Sequence, residues 1–108
     1  MPQEIEPAAA AAWLRSESPP RLIDCREPDE YAIGHIAGAE LVPLSQWRDL
    51  APRRLADPGQ PVLIYCHHGI RSMHAARLLE AHGHTDARSL AGGIERWSVE
   101  IDPSVPRY

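Results

Sequence analysis

The chain has 108 residues, close to the length of one ordinary domain, so we expect a single domain over residues 1–108. Hydrophobic residues make up 44% of it and charged residues 24%, which argues against wholesale disorder, a coiled coil and a collagen-like fibre. Its formal charge of -4 argues against nucleic acid as a partner, because phosphate binding needs a basic surface.

The two cysteines, Cys25 and Cys66, are too few for a secreted domain held together by disulfides. The first residues are acidic and lack the basic and apolar regions of a signal peptide. No apolar run approaches the roughly 18 residues of a membrane span. We therefore expect a cytoplasmic protein with reduced thiols and no membrane as a partner.

Apolar β-type segments alternate with short helical patterns, which predicts an α/β fold with a mostly parallel sheet. The first half of the chain predicts a brief strand at Ile5, a helix over 7–15, a strand over 21–25, a helical turn over 27–31 that ends at Gly34, and a strand over 39–42.

The second half begins with a helix marked by Leu44, Trp47 and Leu50, followed by a surface loop over 52–61. Residues 61–66 form a continuous apolar run, as expected for the central strand of a sheet covered on both faces. After it we expect a helix from Arg71 closed by Gly83, a weaker strand over 88–90, and a Gly92-Gly93 turn into a helix over 94–97. The tryptophans Trp13, Trp47 and Trp97 are interpreted as core residues.

Cys66 lies where the central strand should end, and the loop after it leads into a helix. Ligands of open α/β sheets bind beyond the carboxyl ends of the strands, and amides at a helix N-terminus favour an anion. The anion could be the Cys66 thiolate, because helix N-termini and cations such as Arg71 or protonated His67 and His68 lower a cysteine pKa. Gly69 suits a loop whose amides all turn inward.

Two other interpretations of Cys66 stay open. It could be a small buried hydrophobe at a strand end, as isolated cysteines often are. It could also join His67, His68 and His74 in a zinc site, although adjacent ligands do not match the spacing of structural zinc sites. We expect no metal and no cofactor.

The loop length separates two classes of enzyme. Four residues lie between Cys66 and Arg71, whereas cysteine-dependent phosphatases have five. A tighter loop suits a terminal sulfur on Cys66 better than a tetrahedral phosphate. A phosphatase or arsenate reductase is thus disfavoured.

Three segments in order resemble a known family. The segment Leu22-Ile23-Asp24-Cys25-Arg26-Glu27-Pro28-Asp29-Glu30-Tyr31, with Gly34-His35-Ile36-Ala37-Gly38-Ala39 after it, resembles the first signature of single-domain rhodaneses, and Gly92-Gly93-Ile94-Glu95-Arg96-Trp97 resembles the closing one. The loop after Cys66 lies between them. The sequence is therefore similar to the thiosulfate sulfurtransferase family over nearly its whole length.

This resemblance implies a three-layer α/β fold, with five mostly parallel strands and helices on both faces. It also implies a double displacement. A donor such as thiosulfate or a persulfide delivers sulfane sulfur to Cys66, and the Cys66 persulfide passes it to cyanide, a thiol or a sulfur-carrier protein.

The resemblance also implies roles for individual residues. Cys66 is the nucleophile, the five residues from His67 to Arg71 form a cradle, and Arg71 binds the sulfonate of the donor. Ser72 caps the next helix, and a hydrogen bond to the sulfur is a possible addition to that role. The residues expected to hold the architecture around the site are Asp24, Arg26 and His35.

Two features, Cys25 and the C-terminal tail, allow a functional interpretation as well as a structural one. Cys25 is either a buried strand residue or, if the second and fourth strands are neighbours, a thiol that reaches Cys66. The tail over 102–108 resembles the ends of rhodanese domains fused to adenylyltransferases that activate sulfur-carrier proteins. It therefore raises a second function, an interaction or sulfur-relay module for a partner in cofactor biosynthesis.

Overall fold

The computed structural model describes residues 2–108, which form a five-stranded sheet with helices on both faces. The strands are β1 (Gln3–Ile5), β2 (Arg21–Asp24), β3 (Glu40–Leu41), β4 (Val62–Tyr65) and β5 (Ala87–Leu90). They are arranged in the order β1-β5-β4-β2-β3, and every neighbouring pair is parallel. The expected fold class is therefore confirmed.

Five α-helices connect or follow the strands. They are α1 (Pro7–Leu14), α2 (Pro28–Ile33), α3 (Trp47–Arg54), α4 (Ile70–Ala81) and α5 (Gly93–Glu100), with a single 3₁₀ turn at Leu44–Gln46 before α3. Between consecutive parallel strands the chain must cross over the sheet, which is why helices alternate with strands.

Strand β4 lies at the centre of the sheet, and all four of its residues are fully buried. Val62 and Ile64 pack on one face with α3 and α4, while Leu63 and Tyr65 pack on the other with α1 and α5. A strand with two covered faces must be apolar throughout, so the continuous run in the sequence correctly predicted its position.

One expectation about the elements was wrong. The loop predicted from Pro52 begins later, because α3 continues through Pro52 to Arg54. Proline removes one helical N–H near the end of the helix, but the Leu55 amide still closes the last turn on the Ala51 carbonyl at 2.8 Å.

Two tryptophans lie in the core as expected, Trp47 on one face of the sheet and Trp97 on the other. Trp13 is half-buried, with the Arg88 guanidinium 4.3 Å from its ring centroid. Within residues 2–108, the structure contains no helix with the length and apolar character needed to span a membrane.

Candidate active site

Cys66 follows directly after β4, between the central strand and the first turn of α4. Only 1% of its surface is exposed. Gly69 is the N-terminal cap of α4 and has a φ of 102°, in the left-handed region that favours glycine. This conformation folds the loop back, so that the start of the helix faces the Cys66 sulfur.

The Cys66 sulfur is surrounded by hydrogen-bond donors. The Gly69 amide donates to Sγ at 3.0 Å and the Ser72 amide at 3.4 Å, and the Ser72 hydroxyl oxygen lies 3.5 Å from Sγ. A side-chain hydrogen bond from Cys25, followed by those from Ser72 and Gly69, outweighs burial and lowers the pKa of Cys66 to about 4. Cys66 is therefore a thiolate at neutral pH.

Cys25 is the neighbour of Cys66 across the β2–β4 pair. It is fully buried, and its pKa is raised by the hydrogen bond to Cys66 and by burial. Cys25 is thus the protonated member of the pair and Cys66 the ionised one. The proximity suggested by the strand order is present in the structure.

Helix α5 holds the loop from behind. The Ile94 amide donates to the Cys66 carbonyl at 2.9 Å, and the Glu95 amide donates to the His67 carbonyl at 3.1 Å. A side chain at Gly93 would lie 2.5 Å or less from both carbonyl oxygens, so glycine is required for this close approach. The Cys66 and His67 carbonyls are thus bonded to α5, while the Gly69 amide faces the sulfur.

Ser72 does not have the capping role expected of it. The cap of α4 is Gly69, and Ser72 is the third residue of the helix. Its buried hydroxyl oxygen lies 3.2 Å from the Gly69 carbonyl oxygen and 2.7 Å from the Ser89 hydroxyl on β5. The same oxygen is 3.5 Å from the Cys66 sulfur.

A group of charged and polar side chains lies beside the loop, and we call it the charged cluster: Asp24, Arg26, Glu30, Arg71 and Tyr108. At its base, the side chains of Asp24 and Arg26 are fully buried. Two guanidinium nitrogens of Arg26 donate to the Asp24 carboxylate, and the shorter of these hydrogen bonds is 2.7 Å. Arg26 also donates to the Gly34 carbonyl at 2.6 Å. These contacts connect the end of β2 to the end of α2.

The upper part of the charged cluster is formed by Glu30, Arg71 and Tyr108. Both terminal nitrogens of Arg71 donate to the Glu30 carboxylate, at 2.6 and 2.9 Å. This pair is the main reason why the pKa of Glu30 is lowered to about 2. The Tyr108 hydroxyl donates to Glu30 at 2.8 Å and accepts a hydrogen bond from Arg26 at the same distance.

The remaining predicted site residues differ in their surroundings. His67 stacks between the rings of His68 and Tyr108, each 3.9 Å away, and burial lowers its pKa. Ile70 is 82% exposed, so it contributes to the loop through its backbone. His35 is exposed and stacks on Tyr31 at 3.8 Å.

The structure adds three residues that the sequence did not single out as functional. Glu30 anchors Arg71, Ser89 contacts Ser72, and Tyr108 covers His67. Glu30 has a local signal, because it forms a capping box with Glu27, but that signal predicts a helix start rather than a site. Within residues 2–108, no group of three histidine, cysteine or acidic side chains is placed to hold a metal ion.

Comparison with known proteins agrees with this geometry. The Rhodanese-like domain family matches residues 6–100. Thiosulfate sulfurtransferase GlpE of Pseudomonas putida is 36% identical over 91 residues, which cover 84% of this chain and 81% of the relative. The probable adenylyltransferase/sulfurtransferase MoeZ of Mycobacterium tuberculosis is 34% identical over 104 residues, or 96% of this chain.

The chain spans 63% or less of the length of several relatives, including 26% of MoeZ. A crystal structure of a rhodanese-like domain protein from Staphylococcus aureus superposes with a TM-score of 0.81 and 26% identity, over 98% of both chains. The family match extends over most of the chain and includes the Cys66 loop, so the chain belongs to the rhodanese-like domain family, whose relatives include named sulfurtransferases.

Proposed function

We propose that the protein is a sulfurtransferase that moves sulfane sulfur from thiosulfate or a persulfide donor to a thiophilic acceptor through a persulfide on Cys66. The observation that carries the proposal is the environment of the Cys66 sulfur. The sulfur accepts hydrogen bonds from the Gly69 and Ser72 amides, and the pKa of Cys66 is lowered to about 4. A thiolate held by amides is a ready nucleophile at neutral pH.

In the first half of the reaction the Cys66 thiolate attacks the outer sulfur of thiosulfate. A bond forms between the two sulfurs, the bond to the sulfonate sulfur breaks, and sulfite leaves with the electron pair. In the second half an acceptor such as cyanide or a thiol attacks the terminal sulfur, the bond between that sulfur and Cys66 Sγ breaks, and Cys66 keeps the bonding electrons and returns to the thiolate. The amides stabilise the charge on sulfur in both halves.

Arg71, at the end of the loop, supplies positive charge near the site in this scheme. Its guanidinium is anchored by Glu30, and 36% of the side chain is exposed toward solvent. The side chain can meet the donor's sulfonate without first being fixed in place, because the ion pair has already ordered it. Glu30 and Tyr108 are then positioning residues for Arg71.

The test is to mix the protein with thiosulfate and cyanide and to follow thiocyanate, with intact mass measured before and after thiosulfate alone. At the earliest times after mixing, we expect an adduct of about 32 Da, one sulfur atom, in the wild type, and we expect neither adduct nor thiocyanate in Cys66→Ser, because only the thiolate takes up the sulfur. Equal inactivity of wild type and Cys66→Ser with thiosulfate and with persulfide donors would contradict the proposal.

A second function, sulfur relay to a partner in cofactor biosynthesis, is favoured by the similarity to MoeZ over 96% of the chain. The tail over 102–108 is relevant to this second function because it packs against its own domain. The Ser98 hydroxyl donates to the buried Val105 carbonyl at 2.6 Å, and Arg107 pairs with Glu95 at 2.6 Å. A partner would therefore meet the tail as part of the rim of the site. Pull-downs with the full chain and with residues 102–108 removed test this function.

A further inference from the structure

The two cysteines occupy adjacent ends of neighbouring strands. Strands β2 and β4 are parallel, with Asp24 opposite Tyr65 as their last paired residues, so Cys25 and Cys66 come next on each strand. The Cys25 amide continues the ladder by donating to the Tyr65 carbonyl at 3.0 Å. Neighbouring strands lie about 4.8 Å apart, which is within the roughly 4.4–6.8 Å between Cα atoms that a disulfide requires.

The two side chains also point to the same side of the sheet. Both belong to the core cluster beneath α3 and α4, and 0% of Cys25 and 1% of Cys66 are exposed. The two thiol groups are close enough to shift each other's pKa, which is raised for Cys25 and lowered for Cys66. A core position next to β4 needs only an apolar side chain, so packing alone does not require a second thiol against the nucleophile.

We propose that Cys25 is a resolving thiol, which attacks the Cys66 persulfide and releases its terminal sulfur as hydrosulfide. This inference rests on the proposed function, because the persulfide must form first. It adds a further reaction to the site, the reduction of sulfane sulfur to sulfide within the protein, with a Cys25–Cys66 disulfide as the other product.

The atoms and electrons of this step balance within the protein. A bond forms between the sulfurs of Cys25 and Cys66, and the bond between Cys66 Sγ and the terminal sulfur breaks. The terminal sulfur leaves with the bonding electrons and takes the Cys25 proton. It gains two electrons, the two cysteines lose two, and a dithiol reductant from solution restores the thiols for another turnover.

The charge on Cys66 explains why the resting pair is stable and the persulfide reactive. While Cys66 is a thiolate, its negative charge and the burial of Cys25 raise the pKa of the Cys25 thiol and keep it in its protonated, poorly nucleophilic form. Persulfide formation makes Sγ neutral and moves the negative charge to the terminal sulfur. Cys25 then faces a neutral electrophile and an anion that can take its proton.

The experiment is a single turnover with reduced, desalted protein and thiosulfate in the absence of oxygen. In the wild type we expect release of about one hydrosulfide per protein and, after acid quench, a mass lower by about 2 Da than that of the reduced chain. The matched variant is Cys25→Ser, which keeps a hydrogen-bond donor beside Cys66 but cannot form the disulfide. We expect it to retain the persulfide, with a gain of about 32 Da and no hydrosulfide.

Three controls separate the possible results. Wild type without thiosulfate keeps its mass, and a dithiol reductant added after the turnover restores the reduced mass. Cys25→Val, which is apolar and branched, behaves as Cys25→Ser and covers the case in which the serine variant folds poorly. A wild type that retains the added sulfur and releases no hydrosulfide overturns the role of Cys25 and leaves the proposed sulfur transfer standing. A wild type that neither gains sulfur nor releases hydrosulfide overturns the sulfur transfer itself.

Discussion

The loop that follows Cys66 and the charged cluster beside it lie at the same edge of the sheet but hold their shapes by different means. The loop depends on backbone: amides of Gly69 and Ser72 face the sulfur, and α5 binds the loop carbonyls. The charged cluster depends on side chains distant in sequence, with Asp24 and Arg26 at its buried base and Tyr108 at its rim.

This difference separates two tasks at one site. Amides fixed in a short loop can stabilise a thiolate without a counter-ion, and their position depends on glycine conformation rather than on side-chain identity. The ion pairs of the charged cluster hold each guanidinium in place, but a guanidinium loses its position when its carboxylate partner is removed. Substitutions in the loop should therefore disturb the sulfur, while substitutions in the cluster should disturb stability and the position of Arg71.

The largest expected effect concerns ionisation of the sulfur in the loop. With its pKa at about 4, Cys66 remains a thiolate at pH 5, where a thiol with the ordinary value of 9.0 would be ionised in about one molecule in ten thousand. The measurement is the ultraviolet absorbance of the thiolate, taken as the difference between wild type and Cys66→Ser during acid titration. A midpoint near the ordinary value would contradict the stabilisation of the thiolate by Cys25 and by the loop.

The lowered pKa of Cys66 also makes the stability of the fold depend on pH, and two variants of Cys25 serve as controls for the titration. Because the folded pKa lies below the ordinary value, the thiolate stabilises the fold fully above pH 9.0, and this contribution declines as the pH falls toward 4. Cys25→Ala removes the thiol that lowers the pKa of Cys66 the most and should raise the midpoint. Cys25→Ser keeps a donor and should raise it less.

The second prediction concerns the buried base of the charged cluster. Asp24→Asn removes the charge that compensates Arg26, whose side chain is fully buried, and should lower the free energy of unfolding by about 3–5 kcal/mol. The control is Asp86→Asn, because Asp86 pairs with Arg88 where both side chains are about one third exposed, and such pairs contribute about 0–1 kcal/mol. Urea unfolding of both variants measures the difference, and equal losses would mean that burial does not distinguish the pairs.

The third prediction returns to the loop and its support on α5. Gly93→Ala places a Cβ 2.4 Å from the His67 carbonyl oxygen, at a φ of 60°. Gly83→Ala introduces the same strain at a φ of 98° but meets nothing within 4 Å. We expect Gly93→Ala to be less stable than Gly83→Ala by about 1–3 kcal/mol, and to lose sulfur transfer as well. Full transfer activity in Gly93→Ala would show that the loop tolerates displacement.

The loop was more predictable from the sequence than the charged cluster, for a physical reason. A continuous apolar run, a cysteine at its end and a glycine before an amphipathic helix are local signals, and they correctly placed β4, Cys66 and α4. The contacts of the cluster join residues far apart along the chain: Arg71 meets Glu30 across 41 positions, and Tyr108 meets Arg26 across 82. Such pairings depend on the finished sheet order, which no local pattern contains.

Local patterns also gave two wrong details. Ser72 looked like a helix cap because serine often occupies that position, but the left-handed Gly69 begins the helix three residues earlier. Pro52 looked like a helix end, yet α3 continues past it. In both places the type of residue was informative, whereas its exact position was set by packing that the sequence alone does not reveal.

The smallest expected effect is at the rim of the charged cluster. Tyr108→Phe removes the hydroxyl that bonds Arg26 and Glu30, each at 2.8 Å, and keeps the ring stacked on His67. Because Tyr108 is 41% exposed, we expect a loss of about 0.5–1.5 kcal/mol in unfolding free energy. The matched control is Tyr31→Phe, whose hydroxyl donates to the Ala39 carbonyl at 3.2 Å, outside the cluster. Since Tyr108 acts on the donor only through Glu30 and Arg71, its loss should raise KM for thiosulfate more than it lowers kcat. A fall in kcat with KM unchanged would instead connect Tyr108 to the sulfur and break the separation between loop and cluster.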